Sequence, residues 1–191
     1  MKILITGATG FLGRRVVAAL APHYELRIMV RATASCERFP EGVEFAAGDV
    51  TDPSSLASGA AGCDTVLHAA ALVKIDAPGA EFDRINVGGL RNFLAAAAAS
   101  GVSRIVYVSS FIALGPTERA PGGVLDERAE PARLAASGEV ERREWINDYQ
   151  RTKTISDLAA RQAIASGVPL SVIYPGVIYG PGELTEGNIL V

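Results

Sequence analysis

The stretch Ile3-Leu4-Ile5-Thr6-Gly7-Ala8-Thr9-Gly10-Phe11-Leu12-Gly13 decides the fold of this chain. It begins as an apolar, β-branched run typical of a buried strand, and a helical pattern starts where it ends. Three glycines at a spacing of three join the two elements, which predicts a tight turn, a close approach of the backbone to a pyrophosphate, and close helix–sheet packing. The motif therefore predicts a dinucleotide site at a helix N-terminus, built from Gly7, Thr9, Gly10, Phe11, Leu12 and Gly13.

Composition and charge limit the classes of protein. The chain has 191 residues, of which 49% are hydrophobic, and this suits a parallel sheet buried on both faces. The net charge is −3 and no cluster of Lys and Arg forms, so we expect no nucleic-acid partner. The first strand begins at Lys2 and no apolar run would span a membrane, which predicts a cytoplasmic protein without a membrane partner. Cys36 and Cys63 lack metal-ligand spacing, so we expect free thiols and no metal site.

Strand and helix patterns alternate along the whole chain. This alternation predicts an α/β protein with a doubly wound parallel sheet (a Rossmann fold), in three α/β/α layers and with strand order 3-2-1-4-5-6. The first predicted strand starts at Lys2, and the other five cover 25–30, 43–47, 65–68, 104–108 and 170–174. The main predicted helices cover 11–20, 80–100 and 148–166.

Several residues stand at predicted strand ends, where ligands bind in such sheets. Arg31 occupies the place where an acid would hold the adenosine 2′-hydroxyl, which favours a 2′-phosphate and hence NADP, with NAD as the alternative. A solvated surface arginine is the competing interpretation. Asp49 suits the adenine amino group and Val50 its apolar face, although Asp49 also suits the start of a turn. The small residues Ala69, Ala70 and Ala71 would let a cofactor lie flat.

One further strand residue and one helix carry the remaining candidates. His68 lies in an apolar strand, and we interpret it as structural rather than as a ligand. Tyr149 and Lys153 are four residues apart and therefore share one face of a helix. An ammonium beside a phenol lowers its pKa, and such a tyrosine can exchange a proton with an alcohol or carbonyl. Ser110, after the fifth strand, would hydrogen-bond the same substrate oxygen.

Two segments do not follow the alternating pattern. Residues 111–147 are rich in proline, glycine and charge, and we interpret them as a long flap beside the active site. Residues 176–191 end on an apolar stretch directly after a loop, which we interpret as the start of a truncated substrate domain. The remaining chain, within 1–191, is expected to be one NAD(P)-binding domain.

Together these motifs resemble the extended short-chain dehydrogenase/reductase superfamily, which includes the NAD-dependent epimerases and dehydratases. The matching pieces extend over the chain and include 6–13, 48–50, 68–71, 86–89, 108–110, 149–153 and 174–182. Arg31 and the Ser109-Ser110-Phe111 segment look like the dihydroflavonol-reductase-like branch, and 114–117 with 174–185 like the farnesol-dehydrogenase type.

The resemblance implies roles for individual residues. Ser110, Tyr149 and Lys153 would form the catalytic set, with Lys153 also holding the nicotinamide ribose. Ser109 would line the cofactor and Pro175 would lie against the nicotinamide carboxamide. The helices over 80–100 and 148–166 form dimer interfaces in the superfamily, so a homodimer is expected.

The implied function is hydride transfer between a nicotinamide and an alcohol or carbonyl substrate. A nucleotide-sugar epimerase or dehydratase on the same scaffold is the alternative, although Tyr174 stands where many of those proteins carry arginine. A non-catalytic NAD(P)-binding protein is a second alternative, which the retained Tyr149 and Lys153 disfavour. Family members continue for roughly a hundred further residues, the size of a small domain. We therefore expect the substrate domain to be missing and the truncated chain to be inactive or impaired.

Overall fold

The computed structural model describes residues 1–32, 39–74, 76–115, 126 and 145–181. Cys36, most of the proposed flap (116–125 and 127–144) and the proposed start of a substrate domain from 182 onward lie outside the described residues. The described elements are β1 (Lys2–Thr6), α1 (Phe11–Leu20), β2 (Glu25–Val30), β3 (Glu44–Ala47), α2 (Pro53–Ala60), β4 (Thr65–His68), α3 (Gly79–Phe82), a π-helical segment (Asp83–Gly88), α4 (Gly89–Ala99), β5 (Arg104–Val108), a 3₁₀ helix (Phe111–Leu114), α5 (Asp148–Ala165) and β6 (Leu170–Ile173).

The six strands form one parallel sheet in the order β3-β2-β1-β4-β5-β6, which confirms the predicted topology. The order changes direction between β1 and β4, where Ile3 pairs with Thr65 and Thr6 with His68. In a doubly wound sheet this switch point opens a crevice at the carboxyl ends of the strands. The fold therefore directs the loops after β1, β2, β4 and β5 to one edge.

Apolar side chains fill both faces of the sheet. On one face, Val17 of α1 packs with Ile3, Ile5, Leu26 and Ile28. The other face is covered by α2, α4 and α5, with a larger cluster that includes Leu4, Leu56, Val66, Leu90, Phe93 and Ile105. This gives the predicted three layers.

The helix predicted over 80–100 differs from a single α-helix. The structure places a π-helical segment, Asp83–Gly88, between α3 and α4. A π turn adds a residue to one turn of the helix, and such insertions are frequent at functional sites. Here the side chain of Asn86 hydrogen-bonds to two neighbouring segments, which gives the irregular turn a physical role.

Smaller differences occur at element ends. The third strand starts at Glu44 rather than 43, and β6 ends at Ile173 rather than 174. Phe111–Leu114, the first residues of the proposed flap, form a 3₁₀ helix that is capped by Ser110. The described helices include none that is both long and apolar enough to cross a membrane. Cys63 is a buried free thiol, as expected.

Close backbone contacts explain two of the three glycines in the first loop. Gly7 has φ +76°, and a Cβ built there would lie 2.5 Å from the Ala69 carbonyl carbon and the Ala70 nitrogen. A Cβ on Gly13 would lie 2.1 Å from the Gly7 oxygen. The absence of a side chain at Gly13 thus lets α1 pack directly against the backbone of the Gly7 loop. The sequence had predicted instead that this glycine allows close packing of the helix on the sheet.

His68 is a structural residue, as we interpreted it. Its Nδ1 and the Thr6 hydroxyl are 2.8 Å apart in a buried hydrogen bond between β4 and β1. The ring stacks on Phe93 with the centroids 4.5 Å apart. Burial, helped by the nearby charge of Lys153, lowers the pKa of His68 to about 3. The imidazole is therefore neutral at physiological pH.

The contact at Gly13 predicts a large effect of a single methyl group. Gly13→Ala should lower the free energy of unfolding by about 1–3 kcal/mol, because backbone atoms must move to admit the Cβ. Urea denaturation measures the change. Gly88→Ala is the matched control, since its Cβ would meet only the Asp83 oxygen at 3.6 Å, and it should leave stability unchanged or raised. Equal midpoints for both variants would contradict this explanation.

The buried imidazole predicts a pH dependence of stability. The folded pKa of His68 lies below its ordinary value of 6.5, so the unfolded chain binds a proton that the folded chain does not. Stability should then fall by about 1 kcal/mol between pH 6 and pH 5 from this group. Denaturation at several pH values checks the slope. His68→Gln should reduce the slope of the unfolding free energy against pH. His23→Gln, at an exposed position, is the control and should leave that slope unchanged.

Candidate functional site

A groove with a volume of about 280 Å³ lies at the carboxyl edge of the sheet, over the switch point. Nine of the predicted cofactor residues line it, namely Gly7, Thr9, Gly10, Arg31, Asp49, Val50, Ala69, Ala70 and Ala71. Five other residues that line the groove were not predicted from the sequence, namely Thr6, Met29, Gly48, Leu72 and Ile85. The first four belong to strand ends or follow them, whereas Ile85 comes from the π-helical segment, and only the topology shows that they share one groove.

The N-terminus of α1 forms one end of the groove. Gly10 is the N-cap residue, and no side-chain hydrogen bond caps the helix. The first amides of a helix have no partner within it, so those of Phe11, Leu12 and Gly13 are available to an anion. Gly10 is exposed, and a Cβ there would meet only the Gly7 oxygen, at 3.3 Å. Little internal packing requires glycine at this position, whereas a ligand that approached the backbone closely would require it.

Asp49 and Arg31 lie at the other end of the groove, after β3 and β2. The Asp49 carboxylate accepts hydrogen bonds from the amide and the hydroxyl of Thr51, both at 2.8 Å. Partial burial opposes ionisation of Asp49, but these bonds outweigh it and hold its pKa below the usual value, with help from the charges of Arg31 and Arg84. Asp49 thus stabilises a turn and still faces the groove, so both interpretations of this residue are compatible with the structure.

The start of α5 fixes the positions of Tyr149 and Lys153. Asn147 caps the helix by accepting a hydrogen bond from the Gln150 amide at 2.8 Å. The Gln150 side chain in turn accepts one from the Ile146 amide at 2.9 Å. Reciprocal bonds of this kind fix where a helix begins. Tyr149 therefore lies in the first turn of α5, and Lys153 follows one turn later.

Lys153 is buried, with 3% of its surface exposed. Its Nζ donates a hydrogen bond to the Val108 carbonyl at the end of β5, at 3.1 Å. The same atom lies 5.2 Å from the ring centroid of Tyr107 and 5.9 Å from that of Tyr149. Burial lowers the pKa of Lys153 to about 8, while Asp157 acts in the opposite direction.

The expected lowering of the tyrosine pKa is wrong for this structure. Burial raises the pKa of Tyr149, and a hydrogen bond with Ser110 only partly opposes this. The physical reason is that the Lys153 ammonium is directed at the Val108 carbonyl rather than at the phenolic oxygen. In this state Tyr149 is a protonated phenol at neutral pH.

The two serines after β5 lie on the same side of the site as Tyr149. Ser110 caps the following 3₁₀ helix by accepting a 3.4 Å bond from the Ile112 amide, and its hydroxyl lies near enough to Tyr149 to act on the pKa of that phenol. The Ser109 hydroxyl is buried and completes no hydrogen bond within the described part of the chain. Pro175 is linked to this loop, because its carbonyl accepts a bond from the Phe111 amide at 3.0 Å.

Asn86, in the π-helical segment, holds the site together. Its Oδ1 accepts from the Leu72 amide at 2.7 Å, and its Nδ2 donates to the Leu72 carbonyl and to the Thr152 hydroxyl, both at 3.1 Å. Leu72 lines the groove, and Thr152 precedes Lys153. Asn86 therefore joins the segment after β4 to α5.

The structure thus separates the predicted residues into two groups. The loop from Gly7 to Gly10 and the residues after β2, β3 and β4 converge on the groove, whereas Phe11, Leu12 and Gly13 of the first turn of α1 are not among its lining residues. Ser109, Ser110, Tyr149, Lys153 and Pro175 do not line it, and they lie together beyond β4, between β5, α5 and the segment after β6.

The groove suits a dinucleotide on chemical grounds. Open helix amides match a pyrophosphate, and a carboxylate with an adjacent apolar residue matches adenine. The three small alanines 69–71 allow a flat ligand to pass from the groove towards Ser109, whose buried hydroxyl lacks a partner among the described residues.

Comparison with known proteins gives the same picture. Residues 3–190 match the model of the NAD dependent epimerase/dehydratase family. The chain is 32% identical to a 4-hydroxy-2-methyl-3-oxo-4-farnesyl-3,4-dihydroquinoline-1-oxide ketoreductase of Stigmatella aurantiaca, over 96% of this chain and 52% of the relative. It is 30% identical to a putative dihydroflavonol 4-reductase of Synechocystis, over 94% and 50%. The chain spans about half the length of the curated relatives it matches.

Solved structures agree in fold. A Thermus thermophilus UDP-glucose 4-epimerase in complex with NAD superposes with a TM-score of 0.70 at 25% identity, covering 95% of this chain and 57% of that one. The resemblance inferred from the motifs is confirmed by these matches. This chain belongs to the NAD-dependent epimerase/dehydratase family, within the extended short-chain dehydrogenase/reductase superfamily.

Proposed function

We propose that this chain carries the cofactor site and the catalytic residues of an NAD(P)-dependent oxidoreductase that interconverts a carbonyl compound and an alcohol. The observation that carries the proposal is the convergence of Ser110, Tyr149 and Lys153 beside the dinucleotide-type groove. Ser110 acts on the pKa of the Tyr149 phenol, and the Lys153 Nζ lies 5.9 Å from the Tyr149 ring centroid.

Each side chain has a separate task. When bound, a nicotinamide supplies or accepts a hydride at the substrate carbon. Ser110 donates a hydrogen bond that holds the substrate oxygen, and Tyr149 gives that oxygen its proton when a carbonyl is reduced. The Lys153 ammonium stabilises the phenolate that Tyr149 then becomes.

The protonation state of Tyr149 suits its proposed role. Burial raises the pKa of its phenol, so the group is protonated at neutral pH and can give its proton to a carbonyl oxygen. In the reverse reaction the phenolate takes the proton of the alcohol, and Lys153 stabilises that phenolate.

The surroundings of the catalytic hydroxyls favour an apolar substrate. Phe111, directly after Ser110, is 46% exposed, and Ile146, three residues before Tyr149, is 79% exposed. Apolar side chains left in water at the rim of a site are suited to an apolar ligand. A nucleotide-sugar epimerase, the alternative, would bind a second pyrophosphate there, which apolar side chains do not hold.

The proposed cofactor is NADP. Arg31 lines the groove beside Asp49, and its charge acts on the Asp49 carboxylate. A guanidinium at this place suits a 2′-phosphate, whereas the 2′-hydroxyl of NAD would need an acid.

Turnover tests the proposed role of Tyr149. With NADPH and decanal as an apolar carbonyl, Tyr149→Phe should lower the rate by about 100-fold or more, because proton donation is lost. Calorimetric titration should find NADPH binding nearly unchanged. Tyr24→Phe, at an exposed tyrosine before β2, is the control and should keep full activity. Conversion of UDP-glucose by the wild-type chain without reduction of decanal would favour the epimerase instead.

Calorimetry tests the proposed role of Arg31. The wild-type chain should bind NADP more tightly than NAD, and Arg31→Asp should weaken NADP binding about tenfold or more by removing a charge-assisted contact. Arg104→Asp makes the same change of charge at the start of β5, on the opposite edge of the sheet, and should leave both affinities unchanged. An unaltered preference in Arg31→Asp would make Arg31 a surface residue only.

A further inference from the structure

A buried group of three side chains lies one helical turn beyond Lys153. Asp157 on α5 is fully buried, with 0% of its surface exposed. Its carboxylate accepts a hydrogen bond from the Tyr174 hydroxyl at 2.6 Å and another from Arg161 Nε at 2.7 Å. Arg161 also donates from Nη2 to the Tyr174 oxygen at 3.0 Å. We call these three residues the Asp157 cluster, because each of them is joined to the other two.

The hydrogen bonds of the Asp157 cluster explain how the Asp157 carboxylate can be buried. Burial of a carboxylate without partners is strongly unfavourable, whereas two short hydrogen bonds, one of them from a cation, offset that cost. Tyr174 directly follows β6 and precedes Pro175, whose carbonyl bonds to the loop after Ser110. The Asp157 cluster therefore connects α5 to the strand end beside the catalytic serine.

Lys153 and Asp157 lie on one face of α5, because they are four residues apart. The other titratable groups around them are His68 on β4, Tyr107 on β5 and Tyr149 on α5 itself. At neutral pH none of these three carries a negative charge, because burial keeps the imidazole and both phenols neutral. Within the described residues, Asp157 is the buried carboxylate that faces Lys153.

The two effects on Lys153 have opposite signs. Removal from water lowers the pKa of this ammonium to about 8, and the charge of Asp157 opposes that change. A lysine in this range is close to losing its proton under physiological conditions. The charge of Lys153 therefore depends on what Asp157 contributes.

We propose that Asp157 is a positioning residue for the reaction, which supplies the buried negative charge that keeps Lys153 an ammonium beside Tyr149, and that Arg161 and Tyr174 hold it in place. The part that Lys153 plays in turnover rests on the proposed function. The charge effect of Asp157 on Lys153 does not.

The composition of the chain offers a direct measurement. Lys2, Lys74 and Lys153 are its three lysines, so a chain labelled with ¹³C at lysine Cε gives three side-chain signals that titrate with pH. Asp157→Asn should lower the pKa of Lys153 by about 1 or more, since it removes a buried opposite charge one helical turn away on the same face of α5. Asp157→Glu, which keeps the charge, should cause a smaller change. In turnover assays the alkaline limb of the pH profile should move to lower pH by the same amount.

A matched control removes a different arginine-paired carboxylate. Asp83 accepts from Arg151 of α5 at 2.7 and 2.8 Å, and it does not act on the pKa of Lys153. Asp83→Asn should therefore leave the Lys153 titration unchanged. A folded Asp157→Asn protein with an unchanged Lys153 titration would overturn the proposal.

A second variant covers the case in which Asp157→Asn does not fold. Arg161 is partly exposed, at 26% of its side chain, so Arg161→Gln opens no enclosed cavity. Loss of the competing cation should raise the pKa of Lys153, and a lowered or unchanged value would overturn the proposal. Both titrations are made without nicotinamide, so they test the charge effect even in a chain that shows no turnover.

Discussion

Direct contact between backbone atoms at the end of β1 is the constraint on which the rest of the structure depends. The Gly7 turn rests against the peptide between Ala69 and Ala70, and the start of α1 at Gly13 rests against Gly7 in turn. The turn after β1, the start of α1 and the distant segment after β4 are thereby held at van der Waals distance without intervening side chains. The groove takes its shape from this stack, because its floor is backbone and its open end is a helix N-terminus. Side chains then add selectivity to a site whose main outline is already fixed.

A second set of polar contacts connects this stack to the helix that bears the proposed catalytic residues. Asn86 bridges the segment after Ala71 and helix α5, and Arg151 pairs with Asp83 on the same π-helical turn. The helix that bears Tyr149 and Lys153 is thus attached to the wall of the groove by hydrogen bonds with defined directions. Apolar packing alone would allow α5 to rotate or slide by a fraction of a turn. Such a displacement would separate the Tyr149 hydroxyl from that of Ser110.

The amount that sequence could predict differed between local and non-local features. Elements defined by nearby residues were predicted at their observed bounds, as with Phe11–Leu20, Glu25–Val30 and Arg104–Val108. The π-helical turn was not predicted. The apolar periodicity of a helix changes little when one turn contains an additional residue, and the hydrogen-bond partners of Asn86, which account for this turn, are distant in sequence. The glycine motif predicted one end of the groove. The positions of Leu72 and Ile85 in the groove could be recognised only once the topology of the sheet was known. The direction of the Tyr149 pKa shift was predicted wrongly. The four-residue spacing shows that Lys153 lies on the same helix face as Tyr149, but it does not show which atom accepts a hydrogen bond from the Lys153 ammonium.

The two apolar layers differ in the lengths of chain that they need. The layer under α1 is formed almost entirely by residues between Ile3 and Val43, whereas the layer under α2, α4 and α5 also requires Leu170. During synthesis from the N-terminus, the first layer can close while most of the chain is still on the ribosome, and the second waits for the final strand. Contacts between residues far apart in sequence form late and slowly. The part of the chain that contributes Gly7, Gly10 and Arg31 to the groove is therefore expected to fold first, and the part with Tyr149 and Lys153 later.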